Sequence, residues 1–154
     1  MAGKVLTWTN GFPGTISRSI DDIIESIVNG ETSASIAFGA PVALVSGAVK
    51  NVSADNTDII GIAVRTVKTE ETYGGADPVY KAKEMVDVLK RGTVSVLVSN
   101  GSPSAGGTVY IVKATGAIRT SADSTNTVEM TGWRFKGGKD ANNVAEIVLT
   151  ERKY

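Results

Sequence analysis

Residues 86–101 read VDVLKRGTVSVLVSNG, and this stretch predicts the fold class of the chain. From Thr93 to Val98 the residues alternate, so that Val94, Val96 and Val98 would face one way and Leu97 the other. A period of two places successive side chains on opposite faces of a β-strand. Three similar runs are rich in Val and Ile and are bounded by turn-forming residues: IAFGAPVALVSG (36–47), DIIGIAVRTV (58–67) and GGTVYIVKATG (106–116). The chain is therefore predicted to be mainly β.

The pattern continues along most of the sequence and divides it into ten predicted strands. They lie near residues 34–38, 41–45, 47–52, 59–67, 79–89, 93–98, 108–112, 117–120, 127–135 and 144–150. The architecture expected from them is a compact β-barrel, a sandwich or a tulip-like domain, and the residues do not choose among these. Trp133 is expected to be a core or subunit-interface aromatic residue.

One segment predicts a helix instead of a strand. In residues 19–29, five apolar side chains recur at helical spacing: Ile20, Ile23, Ile24, Ile27 and Val28. Ser19 is a candidate N-cap, the Asp21–Asp22 pair suits the positive end of a helix dipole, and Asn29–Gly30 is a natural stop. The predicted organisation is an extended arm over residues 1–18 and a single mainly-β domain over 19–154 that includes this helix.

The arm is the candidate binding segment. Trp8 and Phe12 lie among the turn formers Asn10, Gly11, Pro13 and Gly14. Pro13 fixes its own φ and Gly14 permits a positive φ, which together favour a turn. Apolar residues in such a segment either dock on a partner or cover the core of their own domain. The partner-binding residues predicted from this reasoning are Trp8, Phe12, Pro13, Gly14 and Ile16.

Composition excludes several kinds of chemistry. The chain of 154 residues has 16 basic and 16 acidic side chains, no cysteine and no histidine. Thiolate sites, disulfides and imidazole general bases are therefore absent, and a balanced charge gives no footprint for nucleic acid. No signal peptide or membrane-length apolar run is visible, so a soluble chain made in the cytoplasm is expected.

The remaining polar clusters have structural explanations. Glu70–Glu71 lies in a polar loop, Asp55 to Asp58 is expected to be a turn, and a dyad of Asp87 with Glu129 would need the tertiary fold to assemble it. The paired glycines match no phosphate-binding motif. No catalytic, metal or cofactor residue is predicted, and the chain is not expected to be an enzyme or to bind a small-molecule substrate.

The order of the motifs resembles the capsid cement, or head decoration, proteins of tailed bacteriophages. The motifs that carry the resemblance run over nearly the whole chain: GFPG (11–14), IAFGAPVAL (36–44), IIGIAVRTVKT (59–69), an acidic loop with Tyr73 and Tyr80, MVDVLKRGTVSVLV (85–98) and AGGTVYIV (105–112).

This resemblance implies a structural protein without catalytic residues that binds the outer surface of a phage head. It also implies a homotrimer that cements adjacent major capsid protein subunits in the virion after synthesis in the host cytoplasm. The alternative from another class is a virion tail or adhesin module that binds a glycan or host protein through Trp133, Tyr73 and Tyr80.

Overall fold

The structure is a computed structural model that describes residues 9–66 and 78–154. This part of the chain contains eleven β-strands: β1 (Ile16–Val28), β2 (Ile36–Ala37), β3 (Pro41–Val45), β4 (Ala48–Asn51), β5 (Ile59–Ala63), β6 (Val79–Tyr80), β7 (Met85–Asn100), β8 (Thr108–Val112), β9 (Ile118–Arg119), β10 (Thr127–Phe135) and β11 (Val144–Leu149). No helix among the described residues has the length and hydropathy needed to cross a membrane.

The second half of β7 closes a small barrel. It pairs with β11 on one edge and with β9 on the other. The ring continues from β11 to β10, from β10 to β8 and from β8 back to β9. The β7–β9 pairing is parallel and the others are antiparallel. Of the three architectures that the sequence allowed, the structure therefore forms the barrel.

The first half of β7 carries the rest of the sheet. It pairs with β1 and with β5, and the sheet continues through β3 to β4. Strands β2 and β6 form a separate two-stranded sheet. Two apolar cores result. One fills the barrel and includes Trp133 and Phe135, and the other lies around β3, β4 and β6 and includes Ile36 and Tyr80.

The predicted helix over residues 19–29 is wrong, because residues 19–28 belong to β1. The ladder between β1 and β7 is irregular: from the Arg18–Thr93 pair to the Ile23–Arg91 pair, β1 takes five residue steps while β7 takes two. Two further shifts lie between Ile16 and Arg18 and between Ile23 and Ile24. Each irregularity interrupts the period of two. The apolar side chains also do not share one buried face, since Ile27 is half-buried whereas Ile24 and Val28 are exposed. Their β-branched side chains favour the strand.

The two acidic residues of that segment need a different explanation as well. Asp21 forms an ion pair with Arg91 at 2.6 Å instead of capping a helix. Burial, and next the neighbouring Asp21 charge, raise the pKa of Asp22 above its ordinary value. The Asp22 carboxylate lies against Gly92, where a Cβ atom would meet its Oδ1 at 2.2 Å. Gly92 has a φ of +130° and lets β7 continue through the irregularity as one strand, where the sequence predicted two.

Residues 9–15 precede β1, and Ile16 to Arg18 belong to the strand. The division into an arm over 1–18 and a domain over 19–154 stays a prediction. Residues 1–8 lie outside the described part of the chain.

Leu89 and Leu97 on β7 provide a matched test of this topology. Leu89 is fully buried and Leu97 is 52% exposed. We expect Leu89→Ala to lower the free energy of unfolding in urea by about 2–5 kcal/mol, since it leaves a cavity in the core. Leu97→Ala should change it by less than about 0.5 kcal/mol. Equal losses at the two positions would contradict the burial of Leu89.

Candidate functional site

The segment before β1 contains a tight turn at Phe12–Thr15. The Thr15 amide donates to the Phe12 carbonyl oxygen at 3.1 Å. Gly14 has a φ of +85°. Proline at the second position of a turn and a positive φ at the third are the features of a type II turn. The turn predicted from Pro13 and Gly14 is confirmed.

This turn interlocks with a second glycine, Gly39, between β2 and β3. A Cβ atom on Gly14 would lie 2.8 Å from the Gly39 nitrogen, and one on Gly39 would lie 2.6 Å from the Gly14 nitrogen. Gly39 has a φ of +78° and donates its amide to the Ala63 carbonyl oxygen at 2.8 Å. Both glycines are therefore needed for the two backbones to approach this closely.

Arg65, which follows β5, forms hydrogen bonds with the turn. Its backbone amide donates to the Gly14 carbonyl oxygen at 2.8 Å, and its side-chain Nε donates to the Pro13 carbonyl oxygen at 3.0 Å. Its guanidinium carbon lies 5.3 Å from the centre of the Phe12 ring and 5.1 Å from that of Phe38. The GFPG, AFGAP and GIAVR motifs, far apart in the sequence, thus meet at one point.

Asn10, which precedes the turn, forms hydrogen bonds with β7, β11 and the loop before β11. Its backbone amide donates to Asp140 Oδ2 at 2.8 Å, and its side-chain amide donates to the Val144 carbonyl oxygen at 2.6 Å. Its carbonyl oxygen accepts a hydrogen bond from Ser95 Oγ at 2.5 Å. The Gly14 amide donates to the Ser95 carbonyl oxygen. Residues 10–14 are therefore bonded to the barrel at both ends.

Asp140 is buried in the loop between β10 and β11. Burial acts to raise the pKa of its carboxyl group, but the backbone N–H groups of Asn10, Val144 and Asn142 outweigh burial. The pKa of Asp140 consequently lies below its ordinary value, because these donors stabilise the carboxylate.

The turn holds Phe12 on the surface. Its side chain is 70% exposed, and Leu97 is the other large exposed apolar side chain beside it. Both border a cleft of about 420 Å³. The cleft is lined mainly by apolar and small residues: Phe12, Pro13, Ala37, Phe38, Gly39, Ala40, Pro41, Arg65, Pro78, Val79, Leu97, Ser99, Thr115, Gly116, Ala117 and Ile118. We call it the Phe12 cleft.

The predicted binding residues fall into three groups in the structure. Trp8 lies outside the described residues. Phe12 faces solvent, whereas Gly14 is buried and Pro13 is half-buried in the interlock with Gly39. Ile16 is half-buried and packs against the barrel core. The binding role of all five stays a prediction.

The site residues predicted from the sequence do not include Leu97, Arg65 or the Asn10–Asp140 contact. The alternation along β7 had placed Leu97 on the face opposite the core valines, which was a usable signal. Arg65 stood inside a motif, but only the fold brings it to Phe12 and Phe38. Nothing in the sequence pairs Asn10 with a residue 130 positions away.

Two of the other residues considered for binding or catalysis lie in the apolar cores. Trp133 is a core residue, as expected, and Tyr80 is buried with its hydroxyl donating to the Val64 carbonyl oxygen. Tyr73 lies outside the described residues. Asp87 accepts a hydrogen bond from Ser26 on β1, while Glu129 lies opposite Tyr110 on β8. Within residues 9–66 and 78–154, no three acidic side chains converge on a metal position.

The interlocked glycines can be tested against a glycine in open space. Gly106 has a φ of +81°, close to that of Gly14, but a Cβ atom there would meet nothing. Alanine at either position carries about 1–2 kcal/mol of left-handed backbone strain. We expect Gly14→Ala to lower the free energy of unfolding by about 1–3 kcal/mol more than Gly106→Ala, because it also overpacks. Similar urea midpoints for the two variants would contradict the interlock.

The Asn10–Asp140 contact predicts a pH dependence. Since the pKa of Asp140 is lower in the folded than in the unfolded chain, its contribution to stability is complete above the ordinary Asp pKa of about 4. It is lost as the pH falls through the folded value. Urea unfolding of the wild type and Asp140→Asn should differ by about 1–3 kcal/mol near neutral pH. The difference should shrink in acid, and a constant difference down to about pH 2 would refute the assignment.

Comparison with known proteins places the chain in a family. The family model described as Structural cement protein (E217 gp24/Pam3 gp6) matches residues 5–150. A solved chain from "The capsid of Myoviridae Phage XM1" has the same fold, with a TM-score of 0.79, 20% sequence identity and 99% of each chain covered. A search of the curated proteins finds no match. Because the family model spans nearly the whole sequence, the chain belongs to the phage structural cement protein family.

Proposed function

We propose that this protein is a non-enzymatic structural protein of a phage head that binds the outer surface of the capsid lattice. There it cements adjacent major capsid protein subunits. Membership of the structural cement family supports the capsid-binding role. The observation in the structure that carries the proposal is Phe12, an exposed aromatic side chain on a turn that is bonded at both ends.

The physical reason is preorganisation. Aromatic residues at the centre of an interface supply much of the binding energy of a complex. Ordering a flexible segment on binding would subtract from that energy. Because the Asn10 contacts and the Gly14–Gly39 interlock already hold the turn, Phe12 can bind without a large loss of conformational entropy. We propose that Trp8 and Phe12 touch the capsid, and that Pro13, Gly14 and Ile16 position them.

We further propose that the protein acts as a homotrimer in the virion, after synthesis in the host cytoplasm. Closed symmetry would match a three-fold position of the lattice. Several weak contacts in one trimer would add up to tight attachment through avidity. The major capsid protein is the proposed partner, and the proposal needs no cofactor.

The tail or adhesin alternative has no specific support in the described residues. Two of its three proposed contact residues, Trp133 and Tyr80, are in the core and cannot reach a glycan.

Binding to purified heads that lack the protein tests the role of Phe12. We expect Phe12→Ser to weaken co-sedimentation with heads at least about tenfold, the loss of a central aromatic contact. Its thermal stability should change little, since the stacking on Arg65 is worth only about 0.5–1 kcal/mol at an exposed site.

Tyr154→Ser is the matched control. Tyr154 is 69% exposed and also carries a cation, that of Lys153, over its ring. The Tyr154→Ser variant should bind heads like the wild type. If Phe12→Ser binds equally well, the proposed role of the arm is wrong. If the wild type itself does not bind heads, the proposed function is wrong.

A further inference from the structure

We propose that the Phe12 cleft receives an apolar side chain of the capsid protein that lies next to a carboxylate, and that Arg65 binds this carboxylate. This inference rests on the proposed function and specifies the chemistry of the partner segment. Three properties of the cleft carry it: its charge, its apolar rim and the fixed position of Arg65.

The net formal charge of the cleft is positive when the described lining residues are counted. Among the described residues that line it, Arg65 is the single ionisable side chain with a formal charge at neutral pH. Nε of Arg65 is bonded to the Pro13 carbonyl oxygen. Its two terminal nitrogens have no hydrogen-bond or ion-pair partner within the described part of the chain. A guanidinium group in this state can still donate two parallel hydrogen bonds to a carboxylate.

The rim of the cleft is apolar and exposed. Phe12 is 70% and Leu97 is 52% exposed, and both border the cleft with the buried Pro41 and Ile118 behind them. Contact with an apolar side chain would remove this surface from water, at about 25 cal/mol for each Å². Such a contact would also lower the local dielectric constant around Arg65 and so strengthen its ion pair.

Arg65 is already ordered for this task. Its guanidinium carbon lies over the rings of both Phe12 and Phe38, within 5.3 Å of each ring centre. The Nε bond fixes the orientation of the plane. An arginine held in this way loses little rotamer entropy when it binds a carboxylate.

The occupant that fits is a protein segment and not a nucleic acid or a membrane. Nucleic acids and membranes are recognised through several cations at once, whereas the described lining offers one cation among apolar groups. A capsid segment with one acidic and one apolar side chain satisfies both features. A second copy of this chain is the competing occupant, and the experiment separates the two.

Substitutions of Ala37 test whether the partner group in the cleft is negatively charged. Ala37 is an exposed lining residue with a small side chain. Ala37→Asp would place a carboxylate in the cleft, to compete for Arg65 and repel the partner's acid. Ala37→Lys adds a side chain of opposite charge at the same point. We expect Ala37→Asp to weaken co-sedimentation with heads about tenfold and Ala37→Lys to leave it within about threefold. Equal effects of the two variants on head binding would contradict the proposal that Arg65 binds a carboxylate of the partner.

The apolar contact is tested on β7. Leu97→Ala should weaken head binding about fivefold to tenfold, whereas Met85→Ala should not weaken it. Met85 is 56% exposed on the same strand and lies outside the lining of the cleft. An equal loss at Met85 would show that binding is not located at the cleft and would overturn the inference.

Light scattering of the free variants identifies the occupant. Head binding should change at Leu97 and Ala37 while the molar mass of the free protein stays the same. If the same substitutions dissociate an oligomer in solution, the cleft holds a second copy and the inference is wrong. If the wild type binds heads but all four variants bind equally well, the inference fails and the proposed function stands.

Discussion

The structure depends on the pairing of β7 along both of its edges. This strand of sixteen residues joins the barrel to the outer sheet, because its first half bonds to β1 and β5 and its second half to β11 and β9. Core side chains such as Val88 and Val96 are thereby fully buried in both halves of the strand. Loss of β7 would leave neither a closed barrel nor a continuous sheet.

The candidate binding surface is built on this frame. The carbonyl oxygen of Ser95 on β7 accepts a hydrogen bond from the Gly14 amide, and the Ser95 hydroxyl donates one to the Asn10 carbonyl oxygen. The turn at Phe12 is therefore attached to a part of β7 that is also paired with β11. Such an arrangement separates two requirements: glycines and backbone hydrogen bonds provide the stability of the turn, while the exposed Phe12 ring is left for contact with a partner.

Much of the fold could be predicted from the sequence, since most of its strands are short and end at turn formers. Strands β3, β8 and β10 begin and end at the predicted residues. The failure at β1 also has a physical cause: its irregular register against β7 breaks the period of two on which such predictions rest. The turn at Pro13–Gly14 was predictable because its backbone angles depend on those two residues alone.

The sequence by itself determined that the chain is mainly β, that it lacks thiol and imidazole chemistry, and that its motifs follow the order of the cement proteins. These properties depend on residue identity and on neighbours along the chain. The tertiary structure alone decided that β1 is a strand, that the sheet closes into a barrel, and that Gly14, Gly39 and Arg65 meet beneath Phe12. Those outcomes depend on hydrogen bonds and contacts between residues far apart in sequence, which no local pattern encodes.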